Sequence, residues 1–155
     1  MSRRRRAIKR PILPDPRYGS VLVTRFTNRV MQRGKKNTAR SIVYGALANI
    51  ASNGDDPIET FERAIRNATP LLQVRPRRVG GATYQVPVEV RGERGLTLSM
   101  RWIIDSARQR TGRPMLDKLT TEIMEAAQGQ GNAVRRREEM HRMAEANRAF
   151  AHYRW

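Results

Sequence analysis

The apolar residues of this chain change their repeat once, and the change limits the fold more than any other feature. From residue 19 to 69 they recur at helical spacing. Leu22, Phe26 and Val30 form one stripe behind Ser20, which can cap it, and Gly34 ends it. Ala39, Ile42, Val43, Ala46, Leu47 and Ile50 form a second, stopped by Asn53-Gly54. Asp56-Pro57 with Glu59 reads as an N-cap, an N1 proline and a capping-box acid before Ile58, Phe61, Ile65 and Ala68, and Pro70 closes that helix. Then the repeat becomes two. Leu72, Val74 and Pro76 alternate with Gln73, Arg75 and Arg77, and Tyr84, Val86, Val88 and Val90 alternate with Gln85, Pro87 and Glu89. With Val79-Gly80-Gly81-Ala82-Thr83 as the connection, Leu72 faces Val90, Val74 faces Val88, Pro76 faces Val86 and Arg78 faces Tyr84, so both apolar faces agree. Pro76 and Pro87 are tolerable because both strands of a lone hairpin are edges. Such a hairpin is marginal by itself, so its base must pack on helices while its tip projects.

Helical spacing returns after a linker over 92–97. Leu96, Met100, Ile103, Ile104 and Ala107 give a fourth helix, stopped by Thr111-Gly112. Met115, Leu116, Leu119, Ile123, Met124 and Ala127 give a fifth, stopped by Gly129-Gln130-Gly131. Asn132 can cap a sixth, 133–148, polar on all sides, which predicts that it projects or lies on a partner. The expected fold is mainly α: a six-helix bundle with a protruding β-hairpin arm, 72–90, between the third and fourth helices. Pro11, Pro14 and Pro16 make residues 1–18 an extended basic arm. The predicted organisation is an arm over 1–18, a helical domain over 19–131, and a C-terminal helix and tail over 132–155.

Can so polar a chain fold? Leu, Ile, Val and Phe are 31 of 155 residues, near the limit below which chains stay disordered, but 26 of them fall within 19–127. The core therefore belongs to the middle, and the two ends need a partner to order them. The formal charge of +17 names that partner as a polyanion, with nucleic acid the commonest. The charge is segmented. Residues 1–17 and 25–40 are each strongly basic, Arg75, Arg77 and Arg78 cluster on the first strand, and 101–113 and 135–155 carry smaller surpluses. Residues 41–74 and 114–134 are mildly acidic and are left to pack or to face proteins. There is no cysteine, which excludes disulfides, thiol nucleophiles and zinc-cysteine sites. No apolar run approaches the ~20 residues of a membrane span, so the chain is expected to stay soluble in the compartment where it is made.

An enzyme is not expected. Walker, dinucleotide and nucleophile-elbow patterns are all missing. Glu138, His141 and Glu145 share a face of the last helix and form either a metal site or, more simply, a solvated face paired with Arg137 and Arg142. No metal or cofactor is expected. Gly80-Gly81 is a hairpin turn before it is a phosphate cradle, although Arg77, Arg78 and Tyr84 beside it supply phosphate donors and a stacking ring. Arg3, Arg4, Arg5 and Arg6 with Lys9 and Arg10 make a solvated tail, a localisation-like patch or, the better reading, a thread along RNA. Lys35-Lys36 at a helix start opposes the dipole and points to a phosphate partner. Trp102 beside Arg101 is core or a stacking platform, with core favoured. Arg108, Arg110 and Arg113 complement a helix end and meet phosphate as well. An architectural DNA-binding protein is the alternative that composition alone leaves open.

Five segments sharpen the choice: GKK at 34–36, RRVGGATYQVPVEV at 77–90, MRWI at 100–103, MAEANRAFAHYRW at 143–155, and ILPDP at 12–16. Together they resemble the small-subunit ribosomal protein S-seven family, bacterial or organellar type, in colinear order over essentially the whole chain. The resemblance implies six helices with a hairpin arm and a primary binder of the 3′ major domain of 16S rRNA. It also implies a role in nucleating assembly of the subunit head, close to exit-site tRNA and the mRNA path. It implies an rRNA face of Arg3, Arg4, Arg5, Arg6, Lys9, Arg10, Lys35, Lys36, Arg75, Arg77, Arg78, Arg101, Arg108, Arg110 and Arg113. The tRNA- and mRNA-facing set would be Arg78, Val79, Gly80, Gly81, Ala82, Thr83 and Tyr84, with Arg142 and Met143. Neighbouring ribosomal proteins would meet the C-terminal region, and the location would be the ribosome of the cytoplasm or of an organelle.

Overall fold

A computed structural model describes residues 10–153. The element order is α1 (Val21–Val30), α2 (Lys36–Ser52), α3 (Pro57–Ala68), β1 (Leu72–Val79), β2 (Ala82–Glu89), α4 (Gly92–Gln109), α5 (Met115–Ala127) and α6 (Gly131–Ala146), then a 3-10 segment, Arg148–Tyr153. This is the expected mainly helical fold with one antiparallel hairpin between the third and fourth helices. Residues 1–9, 154 and 155 lie outside the described residues, and with them the expectations for Arg3, Arg4, Arg5, Arg6 and Lys9.

The core is built from one face of each of α1 to α5, joined by Ala133 and Val134 near the start of α6. Phe26 of α1 meets Phe61 of α3 edge-on at 5.0 Å, a favourable arrangement of ring quadrupoles. Leu47, Ile50, Ile103, Leu119 and Ile123 close around them, all essentially inaccessible to solvent. In α1 Val23 is buried with Phe26, whereas Leu22 packs at the margin. Trp102 belongs to this core. Gly45 lets α2 and α5 approach, since a Cβ there would stand 2.2 Å from Cδ1 of Leu116. Asp56 caps α3 as expected, its carboxylate accepting from the N–H groups of Ile58 and Glu59 at 2.8 and 3.0 Å. Ser20 occupies the N-cap position of α1 without a side-chain cap bond.

The hairpin register differs from the expected one by a single residue. Leu72 pairs with Glu89, Val74 with Pro87, Pro76 with Gln85, Arg77 with Tyr84 and Val79 with Ala82. The turn is only Gly80-Gly81, with φ of +56° and +93°. Two consecutive left-handed residues make the I′-type turn whose twist matches paired strands, and only glycine takes both positions cheaply. Turn geometry therefore sets the register, and the two apolar rows end on opposite faces. Val86 is buried on the face it shares with Gln73 and Arg75. Gln73, also buried, is compensated in part by Arg94, whose Nε–H donates to Gln73 Oε1 at 2.9 Å.

Two helix starts also move. α4 begins at Gly92, so the expected linker over 92–97 is helical, because Arg91 holds the extended N-cap conformation (ψ 144°) and the first turn bonds Arg94 and Gly95 N–H groups to its carbonyl. α6 begins at Gly131 and, rather than projecting, packs against α3, α4, α5 and both strands. Ala133, Val134 and Ala144 are small enough to bring it close and are buried there. Arg137 staples it to α3, donating from Nη1 to the Asn67 carbonyl at 2.6 Å.

Candidate nucleic-acid interface

The arm enters the body at Asp15. This residue is 5% exposed, and its carboxylate accepts from the Arg17 and Tyr18 N–H groups at 3.1 and 3.3 Å and from the Tyr44 hydroxyl at 2.8 Å. Burial and the Asp15 carboxylate push the Tyr44 hydroxyl above its ordinary pKa, so it remains a donor. The Arg17 guanidinium lies 5.4 and 5.5 Å from the rings of Tyr18 and Tyr44. This latch holds the arm over a depression that Arg10, Lys36 and Arg40 share. Lys35 and Lys36 are exposed at the start of α2, where the first turn holds no acid. The helix dipole and two cations add there, and an anion relieves both.

A second group of cations lies between α1 and α4. Arg25, Arg29 and Arg94 line a cleft of about 530 Å³, and Arg29 also reaches the neighbouring depression with Arg101 and Arg108. Arg29 is held there by donating from Nη1 to the Thr97 carbonyl at 2.9 Å. Nε of Arg25 is buried without a hydrogen-bond partner. Glu93 and Asp105 are the two carboxylates among the residues that line these clefts. Arg25, Arg29 and Arg94 were outside the residue set read from the sequence. The spacing of Arg25 and Arg29 at i and i+4, behind the buried Val23–Phe26–Val30 face, is the signal that places both at one helix margin.

The remaining expected residues divide. Arg101 and Arg108 are exposed along α4, Arg108 donating to the Val30 carbonyl at 3.4 Å and standing 3.9 Å from Asp105. Arg113 is exposed in the turn before α5, and Arg75 and Arg78 are exposed on β1. Arg77 is half-buried. Arg110, expected at phosphate, turns inward. It donates to Glu122 at 2.6 and 3.0 Å and to Glu125. The Glu125 hydrogen bond leads the causes that raise its pKa above the ordinary arginine value.

At the hairpin, residues 80–83 are exposed. The Tyr84 ring does not stand free: Phe150 lies 5.2 Å away at 44° and Tyr153 stacks at 5.2 Å and 27°. The 3-10 segment thus covers β2, and hairpin, α6 and tail form one continuous unit with Arg142 and Met143 exposed on α6. The Glu138–His141–Glu145 face resolves into separate pairs. Glu138 meets Arg137, and Glu145 meets Arg148. His141 Nε2 accepts the Leu71 N–H at 3.0 Å, pinning the start of the hairpin to α6. That role needs a neutral ring, and burial, then Arg137, lower its pKa. No group of three metal-ligating side chains occurs among the described residues, nor is any described helix long and apolar enough to cross a membrane.

Comparison with known proteins turns this geometry into an identity. The family model "Ribosomal protein S7p/S5e" matches residues 2–148. The small ribosomal subunit protein uS7 of Arthrospira platensis is 60% identical over the full length of both chains, and that of Halorhodospira halophila 56%. The uS7c protein of Paulinella chromatophora is 57% identical, again over both full lengths. With this match across the hairpin, the basic clefts and the whole helical body, the chain belongs to the ribosomal protein S7p/S5e family of structural, non-enzymatic ribosomal proteins.

Proposed function

We propose that this protein binds the 3′ major domain of 16S rRNA directly, nucleates assembly of the small-subunit head, and lies beside exit-site tRNA and the mRNA path. The observation that carries the reading is the convergence of Arg25, Arg29, Arg101 and Arg108 from two helices on adjoining clefts, with Lys35 and Lys36 at the start of a third. Cations held on separate rigid elements neutralise phosphates from several RNA segments at once, and so hold a junction in one geometry. Arg10, Arg75, Arg77, Arg78 and Arg113 extend this face, as do Arg3, Arg4, Arg5, Arg6 and Lys9 of the arm. Contacts of this type supply affinity without reading bases, because the A-form major groove is too deep and narrow for side chains. RNA shape supplies the specificity. The exposed Gly80–Thr83 tip with Arg78, and Arg142 and Met143 behind it, form the side that faces tRNA and mRNA. Neighbouring small-subunit proteins meet the C-terminal region, and the site of action is the ribosome of the cytoplasm or of an organelle.

The test is binding to the 3′ major domain fragment across a salt series. With roughly eight phosphates engaged, log K falls against log salt with a slope of several units. A salt-insensitive complex refutes the reading, and so does equal affinity for duplex DNA of the same length. Deleting residues 79–83 leaves rRNA affinity nearly intact and disturbs tRNA handling or reading frame. Deleting residues 1–10 does the reverse.

A further inference from the structure

We infer that the cleft between the end of α1 and the starts of α2 and α5 receives one unstacked nucleobase of the bound RNA. The inference rests on the rRNA-binding reading and adds to it a contact with a base. The cleft measures about 370 Å³, within the usual range of small-ligand sites. Its floor is apolar: Val30, Ala39, Ile42 and Met115. Its mouth is cationic, with Lys35 on one side and Arg108 on the other, and no carboxylate lines it. Arg108 is held at the mouth by the Val30 carbonyl at 3.4 Å. Gln32 and Thr38 are exposed at the rim and bring the amide and hydroxyl that a base edge can meet.

The loop that joins two of its lining residues, Gln32 and Lys35, is also strained. Arg33 has φ +51°, the one non-glycine residue in the left-handed region among those described, and Gly34 follows at +74°. Strain of this kind collects at ligand clamps. It folds the loop so that the Lys35 N–H reaches the Gln32 carbonyl at 3.0 Å and turns Lys35 toward the cleft. A flat apolar ring between two phosphates fits these features together: the ring fills the floor, and its flanking phosphates meet Lys35 and Arg108. A paired base cannot present its face in this way, whereas nucleotides of loops and bulges are splayed out and can. An apolar protein side chain would fill the floor but bring no anion to Lys35, or to Arg108 beyond the Asp105 carboxylate that stands 3.9 Å from it outside the cleft, so the RNA base is the better occupant.

The experiment uses the full chain with the 3′ major domain fragment, and reads affinity across salt together with dimethyl sulfate reactivity of every adenine and cytosine and carbodiimide reactivity of every guanine and uracil. Thr38→Leu and Ile42→Phe fill the cleft without changing charge. Thr38 is exposed, so its variant keeps the fold even if Ile42→Phe does not, and thermal melts check both. The wild type protects an unpaired base, and both folded variants lose that protection and bind about tenfold more weakly at an unchanged salt slope. Lys36→Ala, outside the cleft, reduces the slope by about one and keeps the protection. Protection and affinity that survive filling overturn the inference. So does normal RNA binding by variants that fail to recruit a later small-subunit protein, which would assign the cleft to a protein side chain. A wild type with no salt slope would instead refute the rRNA reading itself.

Discussion

Arg110→Met separates an arginine that holds the protein together from one that holds RNA. The methionine keeps the aliphatic stem and removes all five donors. Glu122 is 0% exposed at its side chain, and Arg110 is 26% exposed. Removing the cation leaves Glu122 with a single partner, the Ala133 N–H at 3.0 Å, which its Oε1 holds as the substitute cap of α6. Breaking a buried pair from one side costs about 3–5 kcal/mol, because the surviving charge stays desolvated. The partial exposure of Arg110 admits some water, which places the cost at about 3 kcal/mol. For a chain of this size each kcal/mol moves Tm by ~2–4 °C, so a fall of roughly 6–12 °C is expected.

Differential scanning calorimetry of wild type, Arg110→Met, Glu122→Gln and the double variant reads this directly. The double variant should recover much of the loss, since glutamine still accepts from Ala133 and the only carboxylate left without its arginine is Glu125, whose side chain is 35% exposed. Salt-dependent binding to the rRNA fragment, measured where all four are folded, should leave Arg110→Met within about twofold of wild type at the same slope. A Tm change under ~2 °C, together with a slope reduced by about one, would falsify the assignment: Arg110 would then be a phosphate ligand whose inward pairing is unimportant.

Three other outcomes are expected. Asp56→Ala removes both cap bonds of α3 and should cost about 1 kcal/mol, read as a Tm fall of ~2–4 °C; an unchanged Tm would mean that water replaces the cap. Phe150→Ala removes one ring from Tyr84, and aromatic pairs contribute ~0.5–1.5 kcal/mol, so amide exchange in β2 should quicken by up to roughly tenfold while α1 to α3 keep their rates. Equal exchange in both proteins would show that the tail does not hold the hairpin. His141 has a folded pKa below its ordinary 6.5, so the folded chain binds fewer protons than the unfolded one as pH falls. Its contribution to stability is complete above about pH 6.5 and is lost as pH drops through the folded value. The Tm difference between wild type and His141→Phe should therefore shrink on acidification from pH 7.5, and a difference that grows would contradict the Leu71 contact.

The helices were legible because their signals are local. Asp56-Pro57 starts α3 and Asn53-Gly54 stops α2 through backbone preferences that later packing does not override. The hairpin was legible in existence and wrong by one residue in register, for a reason that lies in the competition between two cues. Matching apolar faces asked for a five-residue connection, whereas Gly-Gly makes a two-residue turn of the favoured hand. The turn prevails because one face of this hairpin need not be wholly apolar: Gln73 goes inside at the base and Arg94 meets it. The packing of α6 was hidden for a similar reason. Ala133, Val134 and Ala144 are too small and too few to give a strong stripe, yet they are the residues that let the helix approach.

The candidate site was legible as to which segments are basic, and much less as to where each arginine points. Arg101 and Arg110 lie in one basic block, but Arg101 is on the open side of α4 while Arg110 is its C-cap, with extended backbone at ψ 143°. Leaving the helical path there swings the Arg110 side chain toward α5, where Glu122 and Glu125 stand one turn apart. The mildly acidic stretch 114–134 therefore acts as an internal counter-charge, and it takes one arginine away from the surface. Arg25 and Arg29 come from a different block and end beside Arg94, Arg101 and Arg108 because α1 and α4 pack together. A sum over the sequence counts all of these alike. What an RNA meets is only the outward part, and that part is fixed by which carboxylates the fold brings within reach of which guanidinium groups.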